Sequence, residues 1–129
     1  AEAFVSGRLP LMITENCLVQ NETGCRLNRQ GPCVPEDGPC RCGQPNVLVD
    51  RTGAAFPLLP AYGHRTEIQN SKPLYLADRP EHRRLGLAYA RLRFTTETAE
   101  ECVSVVQNYL DAAPAAGDFT RGLYERGVE

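Results

Sequence analysis

The sequence lacks any apolar run approaching the ~20 residues that a helix needs to cross a bilayer, and its start carries no signal-peptide pattern. These absences predict a chain with no membrane partner. Excess charge is also missing. A formal net charge of −2 over 129 residues gives no whole-molecule attraction to nucleic acid or to an anionic surface. There is no Ser–His–Asp arrangement with an elbow motif, no His-Glu-x-x-His and no glycine-rich phosphate loop. Histidine is scarce: His64 follows an expected hairpin, and His82 lies among Glu81, Arg83 and Arg84 and reads as a solvated helix residue. A cysteine nucleophile needs a histidine beside it, so thiol-protease chemistry is poorly supplied. The opening Ala1-Glu2-Ala3-Phe4-Val5, without Met, reads as the inside of a strand and predicts a piece cut from a longer protein.

Cysteine is what the chain does have. Five of its six cysteines fall between Cys17 and Cys42, spaced Cys17-x7-Cys25-x7-Cys33-x6-Cys40-x-Cys42. Disulfide frameworks spread their cysteines, because stapling distant segments constrains the unfolded chain most. A Cys40–Cys42 bridge would also close a very small, strained ring. Clustering therefore favours thiolate ligation of zinc or an iron–sulfur centre. Gly24, Gly31-Pro32, Gly38-Pro39 and Gly43 allow the tight turns that approach to a metal requires. Four thiolates close a tetrahedral zinc site and leave one cysteine over. His64 is a further possible ligand. Cys102 lies on the apolar stripe of the last expected helix and reads as a small core residue.

Residues 3–6 and 10–14 read as extended pieces joined at Gly7-Arg8. The stretch 15–45 is rich in Gly, Pro, Asn and charge, and reads as a loop too long to be ordered without a ligand. In the region 46–70, Asn46–Val49, a turn at Asp50-Arg51-Thr52-Gly53, and 54–59 predict a hairpin. Pro57 there marks an edge or a bulge. Arg65-Thr66-Glu67-Ile68 is a further strand. The region 71–113 reads helix–strand–helix. Its first helix has Ser71 as N-cap, Pro73 in the first turn, an apolar face of Leu74, Tyr75, Ala77 and Leu85, an interruption at Pro80 and an end at Gly86. A strand over 88–94 buries Ala90, Leu92 and Phe94. The last helix starts at a Thr98–Glu101 capping box, runs to Ala113, and carries one stripe of Ala99, Cys102, Val103, Val106, Tyr109, Leu110 and Ala113. The tail from Ala115 reads as extended or mobile. Fold class is thus α/β, or α+β if the chain folds alone, with 1–129 as a single domain or domain fragment. Glu15, Asp50, Glu67 and Asp78 are candidate acid–base carboxylates. Arg8, Arg51, Arg65, Arg91, Arg93 and Arg121 could line an anion path but are balanced by acids.

Several runs in their proper order resemble the collagenase-related peptidases of unassigned catalytic type, peptidase family U-thirty-two. They are Gly7-Arg8-Leu9-Pro10-Leu11-Met12-Ile13-Thr14-Glu15-Asn16-Cys17, Asp50-Arg51-Thr52-Gly53 with Phe56-Pro57, and Glu67-Ile68-Gln69-Asn70-Ser71-Lys72-Pro73-Leu74-Tyr75-Leu76-Ala77-Asp78. Arg91-Leu92-Arg93-Phe94-Thr95-Thr96-Glu97 and Thr120-Arg121-Gly122-Leu123-Tyr124 complete the set. The resemblance covers nearly the whole chain. It implies a bacterial cytoplasmic protein with a TIM-like barrel, of which this chain would be a later portion lacking the first strands. Members carry a peptidase or collagenase label. Others act in oxygen-independent hydroxylation of RNA bases or of a quinone precursor, and hold a four-cysteine [4Fe-4S] cluster. Cys17 and Cys25 match the spacing of the first cysteine pair. Where many relatives carry a Cys before the Arg of the next segment this chain has His64, which shifts the remaining positions onto Cys40 and Cys42, with Cys33 or His64 as substitutes.

The expectation is therefore part of a collagenase-like peptidase, a hydrolase acting on peptides, with Zn2+ or [4Fe-4S] at Cys17, Cys25, Cys40 and Cys42. No protease nucleophile can be placed, so the reaction rests on the resemblance. The alternatives are a component of an iron–sulfur enzyme hydroxylating RNA or a small molecule, and a non-enzymatic structural metal module. The remainder of the parent protein is the expected partner.

Overall fold

The structure, a computed structural model, describes residues 1–23 and 44–125. The chain divides into two compact units, Ala1–Leu9 with Lys72–Glu129, and Pro10–Ser71. The described strands form two open sheets with helices beside them, an α+β arrangement, and close no barrel.

The first unit holds β1 (Glu2–Gly7), β6 (Leu74–Tyr75), α2 (Glu81–Arg84), β7 (Tyr89–Leu92) and α3 (Ala99–Leu110). Its sheet runs β6-β1-β7, with β1 antiparallel to β6 and parallel to β7. The β1–β7 register slips between Phe4 and Ser6. A bulge leaves one residue outside the ladder; here it is Val5, whose carbonyl accepts the hydroxyl of Tyr109 instead. The same hydroxyl accepts the Leu76 amide at 2.9 Å. Val5, Leu74, Leu76, Ala77 and Tyr109 form the core. At Gly7 (φ 121°) a Cβ would strike the Arg93 carbonyl oxygen, so no other residue fits this crossing.

The second unit holds β2 (Pro10–Thr14), α1 (Leu18–Thr23), β3 (Asn46–Val49), β4 (Ala55–Ala61) and β5 (Arg65–Gln69), in an antiparallel sheet ordered β2-β5-β4-β3. The β3–β4 turn is tied by Asp50, whose Oδ1 accepts from the Thr52 amide at 2.7 Å, the Thr52 hydroxyl at 2.6 Å and the Ala54 amide at 3.0 Å. These bonds, the Thr52 hydroxyl foremost, hold the Asp50 carboxyl below its ordinary pKa.

Several expectations are corrected. The helix expected from Ser71 to Leu85 is instead β6, a turn, and the single-turn α2. Leu74 pairs with Gly7 and Tyr75 with Ser6, while Thr120 bridges Leu74 from the other side, so long-range pairing overrides local helical spacing. The stretch expected to be all loop contains α1, giving three described helices rather than two. Pro57 lies in β4, an interior strand without a bulge. It is tolerated because the β4–β5 ladder starts one residue later, at Leu58, so the missing N–H costs no bond there. β7 has no fully buried face: Tyr89, Ala90 and Arg91 are exposed at the sheet edge and Leu92 is part-buried.

The capping box of α3 is present, with Glu101 N bonded to the Thr98 hydroxyl and Glu101 Oε2 to the Thr98 amide. The helix stops at Leu110 rather than Ala113, because Ala112 turns left-handed (φ 49°) and the Ala113 amide bonds back to Asn108 O at 2.9 Å. Its stripe is also rotated from expectation. Cys102, Val105 and Tyr109 face inward, and Val103, Val106 and Leu110 are exposed.

The tail is anchored rather than loose. Thr120 exchanges bonds with Pro73 O and Tyr75 N at 2.9 and 3.1 Å. Arg121 grips Asp78 through both guanidinium arms (2.6 and 2.9 Å), donates to Tyr75 O at 2.7 Å, and stacks 4.7 Å from the Phe119 ring centre. His82, expected in solvent, is 7% exposed, and its Nδ1 has no hydrogen-bond partner among the described residues.

Candidate functional site

Cys17 immediately precedes α1, and β5 fixes it in place. The period of two along β5 turns Thr66 and Ile68 to one face. The buried Thr66 hydroxyl donates to Asn16 O at 2.9 Å and accepts the Leu18 amide at 3.1 Å, so one side chain ties the backbone on both sides of Cys17. Thr14 Oγ1 accepts the Asn16 amide at 2.9 Å. Arg65 meets Glu15 with Nε to Oε2 and Nη2 to Oε1, both at 3.1 Å. Residues 14–18 are thereby held before the side chain of Cys17 does anything.

Cys17 is half-buried and in no disulfide. With Val19, Leu58, Pro60, Arg65 and Thr66 it lines a shallow depression of about 10 Å³, room for one water rather than for an organic substrate. His64 sits in the β4–β5 turn with φ 59° and is part-buried. The β2–β5 ladder ends at Thr14↔Thr66, and His64 lies two residues before Thr66, at the entry to β5. It is not among the residues lining the depression.

Cys25, Cys33, Cys40 and Cys42 lie outside the described residues. Among the described residues there is no group of three or more His, Cys, Asp or Glu placed to hold a metal. Cys102 is half-buried on α3, in the other unit and in no disulfide.

The candidate carboxylates have local duties. Glu15 pairs with Arg65, Asp50 ties its turn, Glu67 accepts from Gln69 Nε2 at 2.9 Å, and Asp78 pairs with Arg121. The Arg121 guanidinium holds the Asp78 carboxyl below its ordinary range. Of the arginines proposed for an anion path, Arg91 pairs with Glu2 at 2.5 Å and Arg8 Nε donates to Thr96 Oγ1 at 3.4 Å. Thr66 was not singled out by sequence, although the alternation of Thr66 with Ile68 marks it as facing inward.

No family model, curated protein or solved structure matches the chain. No helix of the described residues is long and apolar enough to cross a membrane.

Proposed function

We propose that the chain is a later portion of a cytoplasmic collagenase-like peptidase with a barrel-like domain, whose cysteine loop holds Zn2+ or a [4Fe-4S] cluster. Cys17, Cys25, Cys40 and Cys42 would be the ligands, with Cys33 or His64 as substitutes. The observation that carries the metal reading is the placing of five of six cysteines within Cys17–Cys42. The donor set suits the group: soft thiolates, with Cys17 part-exposed, outside any disulfide and on a backbone clamped by Thr66. A cysteine-ligated metal would add folding free energy directly, because its thiolate site does not exist in the unfolded chain. Zinc would act as a structural crosslink, and an iron–sulfur cluster would supply one-electron chemistry. The peptidase activity and its alternative, hydroxylation of RNA or a small molecule, rest on the ordered sequence runs.

Anaerobic purification with iron, sulfide, zinc and free-thiol counts tests the centre. The native chain should carry zinc or iron with sulfide, and Cys17→Ser and Cys25→Ser should lose it while Cys102→Ser keeps it. Six titratable thiols and no metal would sink the proposal. Gelatin digestion by the longer parent protein tests the hydrolase reading, and mass spectrometry of RNA from cells lacking the gene tests the hydroxylase one.

A further inference from the structure

The apolar arc of α3 is wider than the part its own unit covers. At about 100° per residue, Val105, Tyr109, Cys102, Val106, Leu110 and Val103 follow one another around roughly 160° of the helix. The first three face inward. Beyond them Val106 is 40% exposed and Val103 and Leu110 are each 71% exposed. These three follow i, i+3, i+7 spacing, the seam by which one helix packs along another. The outer margin of the stripe carries Gln107, Glu100 and Asp111, and α3 itself has no Lys or Arg; the guanidinium of Arg83, from α2, donates to the Tyr109 carbonyl at the C-terminal end of the helix (2.6 Å).

We propose that Val103, Val106 and Leu110 form a docking surface for an amphipathic helix from outside this chain whose apolar stripe is flanked by lysine or arginine. Charge selects this occupant. A second copy would bring Glu100 and Asp111 against the same acids, and an anionic membrane would be repelled by them. α3 has 12 residues and so is about 18 Å long. One stripe of that length falls well short of the ~800 Å² per partner that a stable interface buries, so the contact is weak and transient and leans on complementary charge. The proposal does not depend on the metal centre.

The test is binding of the full chain, at low salt, to two synthetic helices with leucine at heptad positions, one flanked by lysine and the other by glutamate. The lysine helix should bind about tenfold or more tightly than the glutamate helix. Val106→Glu separates docking from general attraction. It adds a negative charge, so it strengthens binding that is merely electrostatic and weakens binding that uses the stripe. An expected loss of about tenfold, with Gln44→Glu near native, supports the proposal. Leu110→Gln should weaken binding without changing charge, and circular dichroism confirms that each variant is folded. Val106→Glu binding as well as the native chain, or equal binding of both helices, would overturn the proposal. So would a concentration-dependent dimer that Val106→Glu disperses.

Discussion

The Thr66 hydroxyl satisfies two backbone groups at once, a carbonyl before Cys17 and an amide after it. Thr66→Val keeps the shape of the side chain and strands the Leu18 amide beside it. A loss of about 1–3 kcal/mol in urea unfolding is expected, together with lower metal occupancy, because Cys17 would no longer be held. A second single-residue effect runs the other way. Ala112 occupies the left-handed region at the end of α3, where a Cβ costs roughly 1–2 kcal/mol. Ala112→Gly should therefore raise stability by about 1 kcal/mol in thermal or urea unfolding. His82 illustrates what residue-by-residue reading misses. Its charged neighbours suggest solvent, yet a helix of four residues turns one of them inward, and which one is set by the packing.

Among the elements, those made by neighbours along the chain were legible and those made by distant partners were not. The Thr98–Glu101 box spans one turn, and Asp50 ties its turn within four residues, so each could be read from spacing. β6 could not, because its two residues are strand only through Ser6, Gly7 and Thr120. The rotation of α3 was hidden for a related reason. Its apolar arc is continuous, and nothing local says which part of it meets Val5 and Leu76. The tail from Ala115 owes its order to Asp78, some forty residues earlier in the chain. That pairing has a pH signature. The folded carboxyl of Asp78 titrates below its unfolded value of about 3.9. Its contribution is complete above that value and is lost as pH falls through the depressed folded one. Asp78→Asn should cost about 2 kcal/mol at neutral pH and flatten the acid limb of a stability-versus-pH curve. An acid limb as steep as the native one would count against the assignment.

For the whole molecule, the two units differ in what stabilises them. The first has a core of aliphatic side chains closed by Tyr109, whereas the second has a four-stranded sheet, with Leu58 and Ile68 buried among the described residues, and the first of the clustered cysteines. Under reducing conditions, chelation is expected to speed amide exchange in β2, β4 and β5 and to leave β1, β6 and β7 unchanged. Equal acceleration in both units would contradict a metal confined to the cysteine loop. Of the candidate site, the sequence shows that five thiols lie close along the chain, and four of them fall outside the described residues; the clamp around Cys17 depends on β5 pairing and was not visible. The order of the units along the chain has a further consequence. Gly7 and Leu74 already face each other across β1 and β6, and Pro10–Ser71 leaves and returns just beyond that pair. The second unit is thus an insertion at the mouth of a hairpin. A chain with that segment replaced by a short turn from Leu9 to Lys72 is expected to keep the Gly7–Leu74 pairing, and amide protection in β1 and β6 would check it.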